Sequence, residues 1–235
     1  MECKPVHRLS APLSWDGSRR ELADFQGDAA LGFWGWPVAL EEGPLPACHA
    51  ALQIYREFRD GASVPGGLLE GFSVGLGICH GKAVAGQIGT ARQAKVGVFG
   101  PVVNQGSRLE GMTKQFGVPI CIDEATANYV RTGLPKDQGR LRRLARVRPK
   151  GMETSVTVYA LLPSLDDFPE VTETMLEKHE LAINSIIDGH WDQAREILEQ
   201  FPASDGPSQQ LLKLMGQHDN AVPSDWDGAF SLQSK

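Results

Sequence analysis

Between Leu22 and Leu161 the hydrophobic pattern switches repeatedly between alternation and helical spacing, in blocks short enough to be single strands and short helices. Residues 22–26 and 30–36 are apolar runs around Gly27-Asp28, a run-turn-run of β-hairpin size with a carboxylate at its tip. Residues 46–58 put Ala47, Ala50, Ala51, Ile54, Tyr55 and Phe58 at helical spacing, with Pro44 and Pro46 as a start signal and Gly61 as a stop. Residues 72–81, 84–88 and 95–99 read as closely joined strands of one sheet. Pro101 opens a helix over 101–112, followed by a strand at 118–122 and a short helix at 123–131. A second hairpin, 141–147 with 155–161, turns around Lys150-Gly151. Interleaved elements whose strand pairs are mostly antiparallel predict an α+β fold rather than a doubly wound parallel sheet.

The Pro-, Ser- and Asp-rich stretch 163–171 reads as a linker between a domain over 1–162 and a helical tail over 172–235. In the tail, Leu176, Ile183 and Ile187, then Trp191, Ala194, Ile197 and Leu198, flank Gly189 as an antiparallel helix pair, with a third helix over 209–215. The pair resembles a single tetratricopeptide unit; repeat arrays need about three units for stability, so it is expected to pack on the preceding domain or on a partner.

No apolar run in the 235 residues reaches the length of about 18 needed to span a bilayer, so no membrane contact by this chain is expected. Residues 1–13 lack the apolar block and cleavage site of a secretory leader, which predicts a cytoplasmic chain. Cys3, Cys48, Cys79 and Cys121 show neither C-x-x-C nor zinc-ligand spacing and read as free thiols. A net charge of −6 gives no general attraction to nucleic acid. The basic run with Arg140, Arg142, Arg143, Arg146 and Arg148 reads as a solvated strand face.

The Gly27-Asp28 tip and the run that follows it resemble the metal-binding hairpin of class III adenylate and guanylate cyclases. The resemblance continues through Gly75-Leu76-Gly77-Ile78-Cys79-His80-Gly81, Gly86-Gln87-Ile88-Gly89, and the segment from Phe99 to Gly111 that contains Asn104 and Arg108. It ends with Val147-Arg148-Pro149-Lys150-Gly151 and residues 156–161. Each block alone is weak; their order makes them specific. The family implies a ferredoxin-like sheet, a head-to-tail homodimer with active sites at its interface, and Mg²⁺ or Mn²⁺ in a two-ion site. The implied reaction is attack of a ribose 3′-hydroxyl on the α-phosphate of a nucleoside triphosphate.

Carried over residue by residue, Asp28 matches the second metal carboxylate, Asn104 the ribose-orienting amide and Arg108 the transition-state cation, the last two one helical turn apart. Lys150 matches a phosphate-contacting lysine, with Met152 where many relatives carry another, and Lys82 a weaker triphosphate contact. Asp24 and Gly97 occupy the base-selecting positions. A carboxylate suits the N–H donors of guanine, which points toward GTP. The hairpin Asp24-Phe25-Gln26-Gly27-Asp28 and the tail motif Pro223-Ser224-Asp225-Trp226-Asp227-Gly228 instead resemble a bacterial branch grouped with adenylate cyclases, so ATP is placed first.

Nothing before Asp28 resembles the family's first metal carboxylate and its strand. The chain is therefore expected to be N-terminally incomplete, the cytoplasmic part of a longer receptor, with little turnover alone. A catalytically inactive cyclase-fold module that dimerises or binds nucleotide is the alternative from another class. A scaffold whose tail recruits a partner through Trp191 and Trp226 is the other.

Overall fold

The structure is a computed structural model that describes residues 20–26, 29–90, 93–150 and 153–232. In chain order the elements are β1 (Arg20–Gln26), β2 (Ala29–Trp34), α1 (Leu45–Ala62), β3 (Leu76–Ile78), β4 (Val84–Thr90), β5 (Gln93–Phe99), α2 (Pro101–Phe116), β6 (Ile120–Asp123) and α3 (Glu124–Gly133). They continue with β7 (Arg140–Arg148), β8 (Val156–Leu162), α4 (Glu173–Ile187), α5 (Trp191–Leu198), α6 (Gly206–Gly216) and β9 (Phe230–Ser231).

Strand alternation sorts the core into two layers. Ile120 and Ile122 of β6 with Tyr159 and Leu161 of β8 pack against Cys48, Ala51 and Leu52 of α1 and Ala127 and Val130 of α3. The intervening residues Cys121, Val158, Ala160 and Leu162 face the other way, onto Leu109, Met112 and Phe116 of α2 and the tail residues Ile183, Trp191, Leu198, Leu211 and Met215. The mixed sheet between these layers has the order β3-β6-β8-β7-β9, with β3–β6 and β7–β9 parallel and the other pairs antiparallel. This is the α+β class, a sheet with helices on both faces.

The close joining of 72–81, 84–88 and 95–99 into one sheet is not observed. β3 is only Leu76–Ile78 and pairs with β6, whereas β4 and β5 pair with each other as a separate two-stranded sheet. Phe72, expected in the first of those strands, lies outside it at 62% exposure. The pairing follows from α2, which carries the chain back to lay β6 beside β3. Gly61 does not stop α1, which runs on to Ala62, and α2 extends past Met112 to Phe116, where Gly117 at φ 63 ends it in the left-handed conformation that glycine tolerates.

The solvated arginine face is also overturned. Arg142 forms a bidentate pair with Asp205 at 2.6 and 2.7 Å, the two side chains only 2% and 5% exposed. Arg140, 3% exposed, donates to the carbonyls of Pro163, Phe168 and Val171 and pairs with Glu173, so it fastens the stretch read as a linker. Arg143 pairs with Glu180 and Asn184 of α4. Arg140 and Arg142, two residues apart, put their guanidinium groups on the strand face covered by the tail, where each finds a partner, whereas Arg146 and Arg148 pair across the hairpin and with Asp227.

Asp205 also caps α6, accepting from the Ser208 amide at 3.1 Å. Burial raises its pKa, but the hydrogen bonds and charge of Arg142 outweigh this and hold it below the ordinary carboxylate value. His179 packs beside this pair, fully buried, with no hydrogen-bond partner for either ring nitrogen and its ring edge-on to Phe201 at 5.8 Å. Burial, then the Arg142 charge, holds its pKa well below the ordinary imidazole value.

Among the described glycines the closest approach is that of β3 to α2. A Cβ on Gly77 would lie 2.2 Å from both the Gly106 carbonyl and the Glu110 amide. Gly77→Ala is expected to cost at least the typical overpacking penalty of about 1–3 kcal/mol, read as a lower denaturation midpoint. Breaking the buried pair by Asp205→Ala should cost about 3–5 kcal/mol, because Arg142 would be left charged and buried. The depressed His179 pKa means the unfolded chain binds the extra proton, so stability should fall as pH drops below about 6.5. Denaturant midpoints measured across this range should show the slope flattened in His179→Phe, and an unchanged slope would assign it to other groups.

Candidate active site

Helix α2 is wedged against β3 through Gly106, Glu110 and Thr113 and buries Leu109, Met112 and Phe116 in the core. At 100° per residue, Asn104 and Arg108 fall on the remaining face, turned away from β3. Asn104 is exposed on the first turns and Arg108 is half-buried one turn further on. The helix begins at Pro101, where a missing N–H costs nothing, after Gly100, whose backbone lies against Lys82: a Cβ there would sit 3.1 Å from the Lys82 carbonyl. Lys82 is thus held at the start of α2 with its side chain exposed.

Gly97 lies on β5 opposite Gly86 of β4, and a Cβ at Gly97 would come 2.6 Å from Ile88 Cδ1. Asp24 lies on β1, in register with Leu31 of β2 beside a bulge, and β1 packs alongside β5. The strands bearing the two positions expected to select the base are therefore neighbours. Asp28 lies outside the described residues. Lys150 is exposed two residues beyond the end of β7, and Gly151 and Met152 lie outside the described residues.

The first turns of α2 and the β7–β8 hairpin border one open cleft of about 460 Å³, lined by Gln105, Asp123, Glu124, Arg146, Ser155 and Thr157 among others. Asn104, Arg108 and Lys150 are not among its lining residues but stand on the elements that flank it. Asp123 is the hub of this region. Its carboxylate caps α3 by accepting from the Thr126 amide at 2.9 Å, and also accepts from Cys79 Sγ at 3.2 Å and Gln105 Nε2 at 3.3 Å. One side chain thus ties the end of β3, the start of α2 and the start of α3 together. The capping role follows from an Asp directly before a helical pattern; its reach to Cys79 and Gln105 joins residues far apart in sequence and has no local signal.

The three thiols of the described residues are held protonated by their surroundings. Burial pushes Cys48 and Cys121 up to about 12, and Cys79 is raised further by burial and by the charge of the Asp123 carboxylate, which accepts a hydrogen bond from its S–H. Among the described residues no three His, Cys, Asp or Glu side chains converge as a metal centre. No helix of the described residues is long and apolar enough to cross a membrane.

Comparison with known proteins places this arrangement. The chain is 30% identical over 143 residues to adenylate cyclase 1 of Rhizobium meliloti strain 1021, covering 60% of this chain and 21% of that protein. It is 35% identical over 119 residues to an adenylate cyclase of Anabaena cylindrica, covering 48% of this chain and 23% of that one. The chain thus spans about a fifth of the length of these relatives. Among solved structures, the adenylyl cyclase CyaB from P. aeruginosa superposes with a TM-score of 0.52 at 19% identity, covering 63% of this chain and 74% of that one, a likeness of fold. Residues 39–162 match the family model for the adenylate and guanylate cyclase catalytic domain, and the chain belongs to that family.

Proposed function

We propose that this chain is the catalytic segment of an adenylate cyclase, converting ATP to 3′,5′-cyclic AMP and pyrophosphate for intracellular signalling. The observation that carries the reading is the orientation of α2, which commits its other faces to β3 and the core and leaves Asn104 and Arg108 on a face free to meet substrate. The two named relatives, both adenylate cyclases, favour ATP over GTP. Asp24 favours the second reading, a guanylate cyclase, because its carboxylate would accept from guanine N–H groups.

In the reaction the 3′-oxygen forms a bond to the α-phosphorus, the bond from that phosphorus to the bridging oxygen breaks, pyrophosphate leaves with the bond's electron pair, and the hydroxyl proton passes to solvent. Asn104 hydrogen-bonds the ribose and holds the 3′-oxygen in line. Arg108 is positioned to offset negative charge growing on the phosphoryl oxygens, which is most effective when the cation is preorganised. Lys150 and Lys82 bind the leaving polyphosphate. Cyclases of this family work with divalent metal ions. Mg²⁺ or Mn²⁺, held in part by Asp28, would supply charge neutralisation and a more acidic 3′-hydroxyl. The family usually works as a dimer, and we assign this chain a head-to-tail homodimer in the cytoplasm in which Asp28 of one protomer faces Asn104, Arg108 and Lys150 of the other.

The full natural protein, incubated with ATP or GTP and Mn²⁺, should yield the cyclic product. Arg108→Ala and Asn104→Ala should each lower kcat about 10²–10³-fold at unchanged melting temperature, the usual effect of removing one preorganised donor. Product from neither nucleotide would leave an inactive nucleotide-binding module as the reading. Turnover of GTP well above ATP, abolished by Asp24→Ala, would make it a guanylate cyclase.

A further inference from the structure

The tail motif from Pro223 to Gly228 has so far served only to mark a branch of the family, and the structure gives it physical work. Trp226 donates from Nε1 to the carbonyls of Ile186 at 3.0 Å and Ile187 at 3.3 Å, the open C-terminal end of α4. Its ring lies 5.0 Å from those of both Trp191 and Phe230. Gly228, at φ 82, turns the chain where a side chain would press on Ile187. The turn delivers β9, which adds to the edge of β7 with Val147 beside Phe230 and Arg148 beside Ser231, and the Leu232 amide donates to the Arg148 carbonyl at 2.9 Å.

Asp227 stands between the anchored Trp226 and β9, and there it meets the two arginines that brace the β7–β8 hairpin. Its carboxylate pairs with the Arg148 guanidinium, whose Nε donates across the hairpin to the Glu153 carbonyl at 3.1 Å. Its backbone carbonyl accepts from Arg146 at 3.3 Å, and Arg146 Nε donates across the same hairpin to Ser155 Oγ at 2.9 Å. Both cross-hairpin braces are therefore referenced to one tail residue. Lys150 follows Arg148 by two residues and precedes Glu153 by three, between the two ends of the Arg148 brace.

We propose that Asp227, acting through Arg148 and Arg146, is a positioning residue that sets the aim of Lys150 at the nucleotide's phosphates. This rests on the cyclase reading of Lys150. The Arg148–Asp227 pair is 30% and 50% exposed, and exposed pairs contribute little to stability, about 0–1 kcal/mol. Burial of Trp226 and Phe230 holds the tail in place. The ion pair has a different effect: it fixes direction, and direction is what a phosphate-contacting lysine at the end of a hairpin requires.

The test uses Asp227→Asn, which keeps the acceptor for the Ala229 amide but removes the charge, and Asp227→Glu, which keeps the charge. In the full natural protein Asp227→Asn should lower kcat about fivefold with the melting temperature within a few degrees of the parent, and Asp227→Glu should recover most of the loss. In a Lys150→Ala background, Asp227→Asn should change kcat less than about twofold, since the group it aims is gone. Unchanged kcat in Asp227→Asn, or losses that multiply with Lys150→Ala, would overturn the proposal. A large fall in melting temperature would overturn it too, by making Asp227 a structural residue. Amide hydrogen exchange supplies a readout independent of turnover: Asp227→Asn should speed exchange in the hairpin around Glu153 and Ser155 and leave α4 unchanged. If the parent cyclises no nucleotide, the cyclase reading fails while hydrogen exchange still reports on the brace, and unchanged exchange there would remove the brace itself.

Discussion

The orientation of one helix depends on a contact between two backbones. At Gly77 the strand approaches α2 so closely that no side chain fits between them, and the helix answers with Gly106 at the point of contact. Backbone-to-backbone approach leaves little freedom for rotation, because turning the helix by one residue would drive a Cβ into β3. The same contact that sets Gly106, Glu110 and Thr113 against β3 therefore decides that Asn104 and Arg108 point away from it. A looser packing of larger side chains would hold α2 with similar energy but less certain direction.

The arginines of β7 are a second source of order. Burying a guanidinium is costly unless every donor finds an acceptor, and a buried pair is a poor way to gain stability compared with apolar packing. What Arg140 and Arg142 contribute is register. Arg140 gathers carbonyls from the stretch between β8 and α4, and Arg142 meets the capping residue of α6, so each fixes where one part of the tail lies on the sheet. Sliding the tail by a turn would strand a charge in the core.

Much of this was legible in the sequence. Periodicity located the β1–β2 and β7–β8 hairpins and the six helices of the described residues, because their apolar faces repeat, and the family resemblance singled out Asn104 and Arg108 on a helix. What was not legible depends on partners distant in the chain. A run of alternating arginines looks the same whether it faces water or a carboxylate 63 residues later, as Arg142 does with Asp205. The apolar alternation over 72–81 and 84–88 says that strands are present but not which strand each pairs with, and β3 went to β6. The Asp123 hub was readable as a helix cap and unreadable as the acceptor for Cys79 and Gln105. The Asp227 brace was hidden for the same reason.

The core is not finished when the stretch matching the family model is finished. That stretch ends at residue 162, yet the layer beneath β7 and β8 is completed by Ile183, Trp191, Leu211 and Phe230, and the edge strand of the sheet arrives more than 80 residues after the strand it joins. On a ribosome, which delivers the chain in order, β7 and β8 emerge with one greasy face uncovered. The domain can close only once translation has passed the last helix. Until then the nascent chain has to be kept from its neighbours, so premature release would yield a sticky fragment rather than a smaller folded domain.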